Sequence, residues 1–141
     1  MSYAKFLADS SAVFRLLHDS EARRCWGQVL DAGMVATCPI TELELLFGAR
    51  SKADRDRRRQ VLRDTFGWVV MPERVFEQAI EVQVALTDRG SHRSAGPVDL
   101  LTAATAAAHR LVLLHYDADF EQVASVTGQP VRWLMDPGSI S

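Results

Sequence analysis

The chain has few cysteines, few lysines and no long apolar run, and each shortage removes a class of protein. Its two cysteines, Cys25 and Cys38, share no metal-ligand spacing. The opening residues lack a charged segment followed by a long apolar stretch, so reduced thiols in a cytoplasmic protein are expected rather than a disulfide. No stretch approaches the ~20 apolar residues of a membrane span, so no membrane association is expected. A net charge of −2, from 16 basic and 18 acidic groups, argues against a uniformly basic nucleic-acid binder. The only lysines are Lys5 and Lys52. That disfavours a phospho-acceptor receiver domain, which also gathers aspartates at strand ends but needs a lysine late in the chain. Repeats, low-complexity tracts and long linkers are absent too. What remains is 141 residues with 48% hydrophobic and 24% charged content, which predicts one domain over residues 1–141 with a real core.

Short apolar runs alternate with longer helical patterns, the rhythm of an α/β fold with a parallel sheet. The expected strands are 5–8, 34–37, 68–71, 111–116 and 131–134. Leu111 to Leu114 is apolar at every position, as a strand covered on both faces would be. Helices are expected over 11–18, 22–32, 40–49, 53–65, 74–89, 98–110 and 119–127. The loop from Gly90 to Pro97 is conspicuous, a candidate lid or substrate-contact segment in which His92 and Arg93 could meet RNA phosphate.

Four carboxylates carry the functional signal: Asp9 after Phe6-Leu7-Ala8, Glu44 in Glu42-Leu43-Glu44-Leu45-Leu46, Asp99 in Pro97-Val98-Asp99, and Asp117 after Leu113-Leu114-His115-Tyr116. Each lies at or just beyond an apolar segment, where an α/β fold gathers its strand ends into one cleft. Like charges crowded there repel, and hard divalent cations favour clustered oxygen ligands. Taken singly, Asp9 and Asp117 could each cap a following helix, and Asp99 could simply favour a helix dipole. Glu44 is harder to explain away. At about 100° per residue it sits beside Ile40 and Phe47 at the margin of the apolar face, whereas Glu42 falls roughly 160° away and is expected to be solvated or supporting.

Seven basic residues, Arg50, Lys52, Arg55, Arg57, Arg58, Arg59 and Arg63, fall in one stretch that could track a phosphate backbone. Asp54, Asp56 and Asp64 are interleaved with them, and a solvated, locally paired helix face is the alternative.

At these residues the chain resembles the PIN-domain ribonucleases, and among them the VapC toxins of bacterial toxin–antitoxin pairs. Leu7-Ala8-Asp9-Ser10-Ser11 matches the opening Asp-Thr/Ser-Ser motif, and Glu44-Leu45-Leu46-Phe47-Gly48 the Glu-Leu-x-x-Gly helix. Asp99-Leu100-Leu101-Thr102-Ala103-Ala104 matches Asp-Leu-x-x-Ala-Ala, and Asp117-Ala118-Asp119-Phe120 matches Asp-x-Asp-Phe. Four motifs in order over nearly the whole chain are specific where one alone is not.

The resemblance implies a three-layer α/β/α fold around a mainly parallel five-stranded sheet. It also implies Mg²⁺- or Mn²⁺-dependent cleavage of RNA, in a structured or single-stranded loop of a tRNA, rRNA or mRNA. Asp9, Glu44, Asp99 and Asp117 would be catalytic, with Asp9, Asp99 and Asp117 as metal ligands. Ser10, Ser11, Asp119 and His115 would support them. A VapB-type antitoxin is the implied partner and a homodimer the implied assembly. A catalytically silent PIN scaffold that binds RNA or protein is the alternative.

Overall fold

The computed structural model describes residues 3–141. Five short strands, β1 (Phe6–Ala8), β2 (Val35–Thr37), β3 (Gly67–Trp68), β4 (Val112–His115) and β5 (Val131–Trp133), form one sheet in the order β3-β2-β1-β4-β5. Every neighbouring pair is parallel. The helices are α1 (Ser10–His18), α2 (Ser20–Asp31), α3 (Pro39–Phe47), α4 (Lys52–Thr65), α5 (Val75–Asp88), α6 (Pro97–Ala108) and α7 (Asp119–Thr127).

The strand pleat sends alternate side chains to opposite faces, and both faces are covered. Leu7, Ala36 and Leu113 join one buried cluster with residues of α5, α6 and α7, including Leu86, Leu100 and Phe120. Ala8, Val35 and Leu114 join the other with residues of α1, α2 and α4, including Val13, Trp26 and Leu62. This is the expected three-layer arrangement. The Trp26 indole N–H ties α2 to the far edge by donating to the Leu134 carbonyl at 2.8 Å.

The chain builds outward from β1 through β2 to β3, then returns to lay β4 against the other side of β1. Strand order therefore reverses between β1 and β4, the kind of switch point at whose carboxyl ends α/β folds gather their functional groups. Asp9 and Asp117 follow these two strands.

Several element ends differ from the sequence expectation for local reasons. Helix α2 starts at Ser20 rather than Ala22 because Asp19 caps it, accepting from the Ala22 N–H at 2.9 Å. Helix α6 stops at Ala108 rather than Arg110, since Arg110 adopts φ +57° and the Leu111 N–H turns back to Ala106. Strand β3 is only Gly67–Trp68 rather than 68–71. The Val69 N–H still reaches Thr37, but Val70 is exposed on this sheet edge and Pro72 follows.

Candidate active site

Asp9 leaves β1 in an extended conformation and caps α1. One carboxylate oxygen accepts from the Ser11 hydroxyl at 2.7 Å and from the Ala12 N–H at 3.0 Å. The residue is 3% exposed. Burial pushes its carboxyl up to about 6; the hydrogen bonds from Ser11 and Ala12 oppose that rise and the charge of Asp99 adds to it. The Ser11 hydroxyl also accepts from the Tyr116 N–H at 2.9 Å, so one oxygen joins the end of β1 to the end of β4. Ser10, one residue earlier, makes no side-chain hydrogen bond among the described residues.

At the end of β4, His115 is fully buried between the rings of Phe120 and Trp133. Its Nδ1 accepts from the Asp117 N–H at 3.2 Å, which assigns the ring proton to Nε2. That nitrogen lies 3.4 Å from a Glu121 oxygen but out of line for a hydrogen bond. Burial holds the imidazole pKa below its ordinary value, against the opposing charges of Glu121 and Asp117. His115 thus meets the Asp117 backbone through its ring.

Asp117 then accepts from the Asp119 N–H at 2.9 Å, folding the Asp-x-Asp segment into a tight turn at the start of α7. Asp99 enters from α6, where Pro97 occupies the first turn and the carboxylate lies 3.4 Å from the Gly96 N–H. Burial raises its pKa to about 6; the Gly96 N–H opposes this, and the charges of Asp117, Glu44 and Asp119 add to it. Burial also raises Asp119, with Asp117 adding to the effect.

Asp99, Asp117 and Asp119 each offer a carboxylate oxygen, and these atoms lie within 4.8 Å of one another. Among the described residues no Lys or Arg forms an ion pair with any of the three. Three uncompensated hard oxygen donors suit a small divalent cation. Asp9 is within electrostatic reach of Asp99, but its capping bonds occupy one oxygen. Glu44 is exposed on α3, and its charge is felt at Asp99. The tightest trio thus contains Asp119 together with Asp99 and Asp117. The sequence signal for this was the second acid of Asp-x-Asp, whose N–H bonds the first. His92 and Arg93 are exposed in the loop before α6.

Glu42 is neither solvated nor idle. Its side chain is 14% exposed and lies 3.2 Å from Arg63 and 4.0 Å from Arg59. The basic stretch is largely paired within itself and to this residue. Lys52 meets Asp56, while Arg57 and Arg58 both meet Asp54. A hydrogen bond from the Arg50 N–H and the Arg57 and Arg58 charges hold Asp54 below its ordinary value, and Lys52 does the same to Asp56. Five of the seven basic side chains are thus paired locally, yet the three interleaved acids and Glu42 leave the stretch with a net positive charge, so local pairing and phosphate contact are both open to it.

A PIN domain model matches residues 6–126. The ribonuclease VapC21 of Mycobacterium tuberculosis is 40% identical over 135 residues, covering 96% of this chain and 97% of that protein. Ribonuclease VapC51 of the same organism is 38% identical over 136 residues, covering 96% and 97%. Among solved structures, DNA-bound VapBC from Salmonella typhimurium superposes with a TM-score of 0.73 at 19% identity, over 94% of this chain and 99% of that one. DNA-bound VapBC2 from Rickettsia felis gives 0.75 at 14% identity, over 91% and 97%. These structures share the fold, and the two ribonucleases share both sequence and length. The chain belongs to the PIN-domain family and, within it, to the VapC ribonucleases.

Proposed function

We propose that this chain is a divalent-metal-dependent endoribonuclease, a single PIN domain acting as the toxin of a toxin–antitoxin pair. The observation that carries this reading is the trio of Asp99, Asp117 and Asp119 oxygens without a cationic partner. These three residues would hold Mg²⁺ or Mn²⁺, with Asp9 buried alongside. The cation, when bound, would supply Lewis-acid charge against the phosphate oxygens. The protein does the rest. Ser11 and His115 hold Asp9 and the Asp117 backbone in place, and Glu44, exposed at the cleft edge, takes a proton from the attacking water. Attack in line on phosphorus forms the new P–O bond and breaks the bond to the ribose 3′-oxygen, which takes a proton from solvent water and leaves as a hydroxyl.

The products should therefore carry 5′-phosphate and 3′-hydroxyl ends. Mapping the ends of RNA cut by the purified protein tests this. A 2′,3′-cyclic phosphate would mean that the ribose hydroxyl attacks, and water activation would be wrong.

The two α3 glutamates should separate cleanly. Glu44→Gln should lower cleavage by ~100-fold or more, the range for general acid–base groups. Glu42→Gln should leave the rate nearly unchanged and cost stability through Arg59 and Arg63, by no more than about 1 kcal/mol for a mostly shielded pair. Rate and melting curves for both variants check the assignment, and a damaging Glu42→Gln beside a silent Glu44→Gln would reverse it.

A VapB-type antitoxin is the partner this reading requires. A groove of about 1200 Å³ between α1, α2, α3 and α4 is lined by Phe14, Leu17, Leu45, Phe47 and Val61, with Glu44 on its wall. Phe47 is 92% exposed and Phe14 53%. An amphipathic antitoxin segment would bury them, and a basic side chain beside it would reach the carboxylates. On α5, Phe76, Ile80 and Val84 form an exposed stripe at helical spacing that suits a homodimer contact. Antitoxin bound this way must compete with metal, so calorimetry should show weaker binding in excess Mg²⁺. Equal affinity with and without Mg²⁺ would place the antitoxin away from the carboxylates.

A further inference from the structure

Tyr116 stands between the buried His115 and the carboxylate of Asp117, and it is held from several directions at once. Its N–H donates to the Ser11 hydroxyl, whose proton goes to Asp9. The Arg15 guanidinium lies over its ring at 4.5 Å, while an Arg15 Nη donates to the Ser11 carbonyl at 2.9 Å. Arg15 has no carboxylate partner among the described residues, and its Nε is buried without an acceptor. A half-buried guanidinium in that condition is costly unless the ring beneath it supplies the compensation. At the far end of the ring, the Tyr116 hydroxyl accepts from the Ile140 N–H at 3.1 Å and donates toward the carbonyls of Ile140 at 3.0 Å and Asp136 at 3.3 Å. The edge of Trp133 closes another side.

We infer that Arg15 and Tyr116 are positioning residues of the nuclease site. Together they fix the distance between the Asp9 turn and the Asp117 turn, and the segment Asp136–Ile140 acts on the site through the Tyr116 hydroxyl. Neither side chain needs to touch RNA. Ser11 is shared, since Arg15 grips its carbonyl while its hydroxyl spans Asp9 and Tyr116. Displacing the Tyr116 ring would therefore move both ends of the carboxylate cluster, and a residue beside a metal ligand shifts affinity for the ion as well as rate. The inference rests on the nuclease reading above.

The test uses the full chain with Tyr116→Phe, which deletes only the hydroxyl, together with Arg15→Met and Arg15→Lys. Tyr116→Phe and Arg15→Met should each lower kcat by ~10-fold, with KM within about twofold, and weaken Mn²⁺ binding in titrations with the metal alone by a similar factor. Arg15→Lys, which keeps a cation over the ring, should recover part of both losses. Wild-type kcat and Mn²⁺ affinity in Tyr116→Phe and Arg15→Met, with only the melting temperature lowered, would overturn the inference and leave these contacts as fold supports. Asp117→Asn is measured in parallel. If that variant still cuts RNA at the wild-type rate, the carboxylate cluster is not the catalytic site, and the positioning role falls with that assignment whatever the Tyr116 and Arg15 variants do.

Discussion

Asp99→Asn is expected to lower RNA cleavage by ~100-fold or more, the upper end of what even indirect partners of a metal site are worth, while raising the stability of the metal-free protein at pH 7.5. The two effects have one cause. Asp99 is pulled into a partly buried site facing Asp117, Glu44 and Asp119, and its carboxyl rises to about 6 from an ordinary 3.8. A carboxyl whose folded pKa is raised binds protons more readily in the folded chain, so it destabilises the fold once ionised. That penalty is absent below the unfolded pKa, grows as pH rises, and is complete above about 6. Asparagine keeps the shape and removes the charge. After discounting for solvent screening at a partly exposed group, the gain at pH 7.5 is about 1 kcal/mol, or about 3 °C in melting temperature. At about pH 3, below the unfolded pKa, the variant and the parent should melt together. A variant that cuts normally, or that melts lower than the parent at pH 7.5, would remove Asp99 from the role assigned to it.

Chelation should abolish cleavage and restored Mg²⁺ or Mn²⁺ should return it, and the acid limb of the rate profile should carry the same signature. Asp9 and Asp99 both bind protons up to about pH 6 in the metal-free protein. Protons and cation compete for this site, so cleavage should fall as pH drops through about 6. Raising the metal concentration should move that limb to lower pH. A limb that stays fixed as Mn²⁺ is varied over a hundredfold range would mean that the titrating group is not one the ion displaces. Cleavage that persists in excess chelator would end the metal mechanism.

The parallel sheet was legible because Leu111 to Leu114 is apolar throughout, and both faces of β4 are in fact covered. Helix α7 was readable from Asp119 to Thr127 because acids open it and Gly128, at φ +71°, closes it. Strand β3 was overextended, since β-branched Val69 and Val70 look the same in a sequence whether or not a neighbouring strand is in reach. Asp9, Asp99 and Asp117 could be picked from their places after apolar segments. The close approach of Asp119 depends on a backbone turn that only its hydrogen bond to Asp117 reveals. Glu42 could be read only as solvated or supporting, because a helical wheel carries no information about Arg59 and Arg63 on α4, a different helix.

The hydrogen bond from Tyr116 to Ser11 joins residues 105 positions apart, and the β1–β4 pairing beside it is as remote in sequence. Such contacts are slow to form and cannot begin until β4 and Tyr116 have left the ribosome, which adds ~5–20 residues per second. While the chain is being made, Asp9 is only the cap of an early helix. The carboxylates of α6 and the β4–α7 turn follow only after four more helices have been made, and with them the trio that would hold a cation. A chain built this way has no assembled carboxylate site until β4 and the start of α7 have been made and laid against β1.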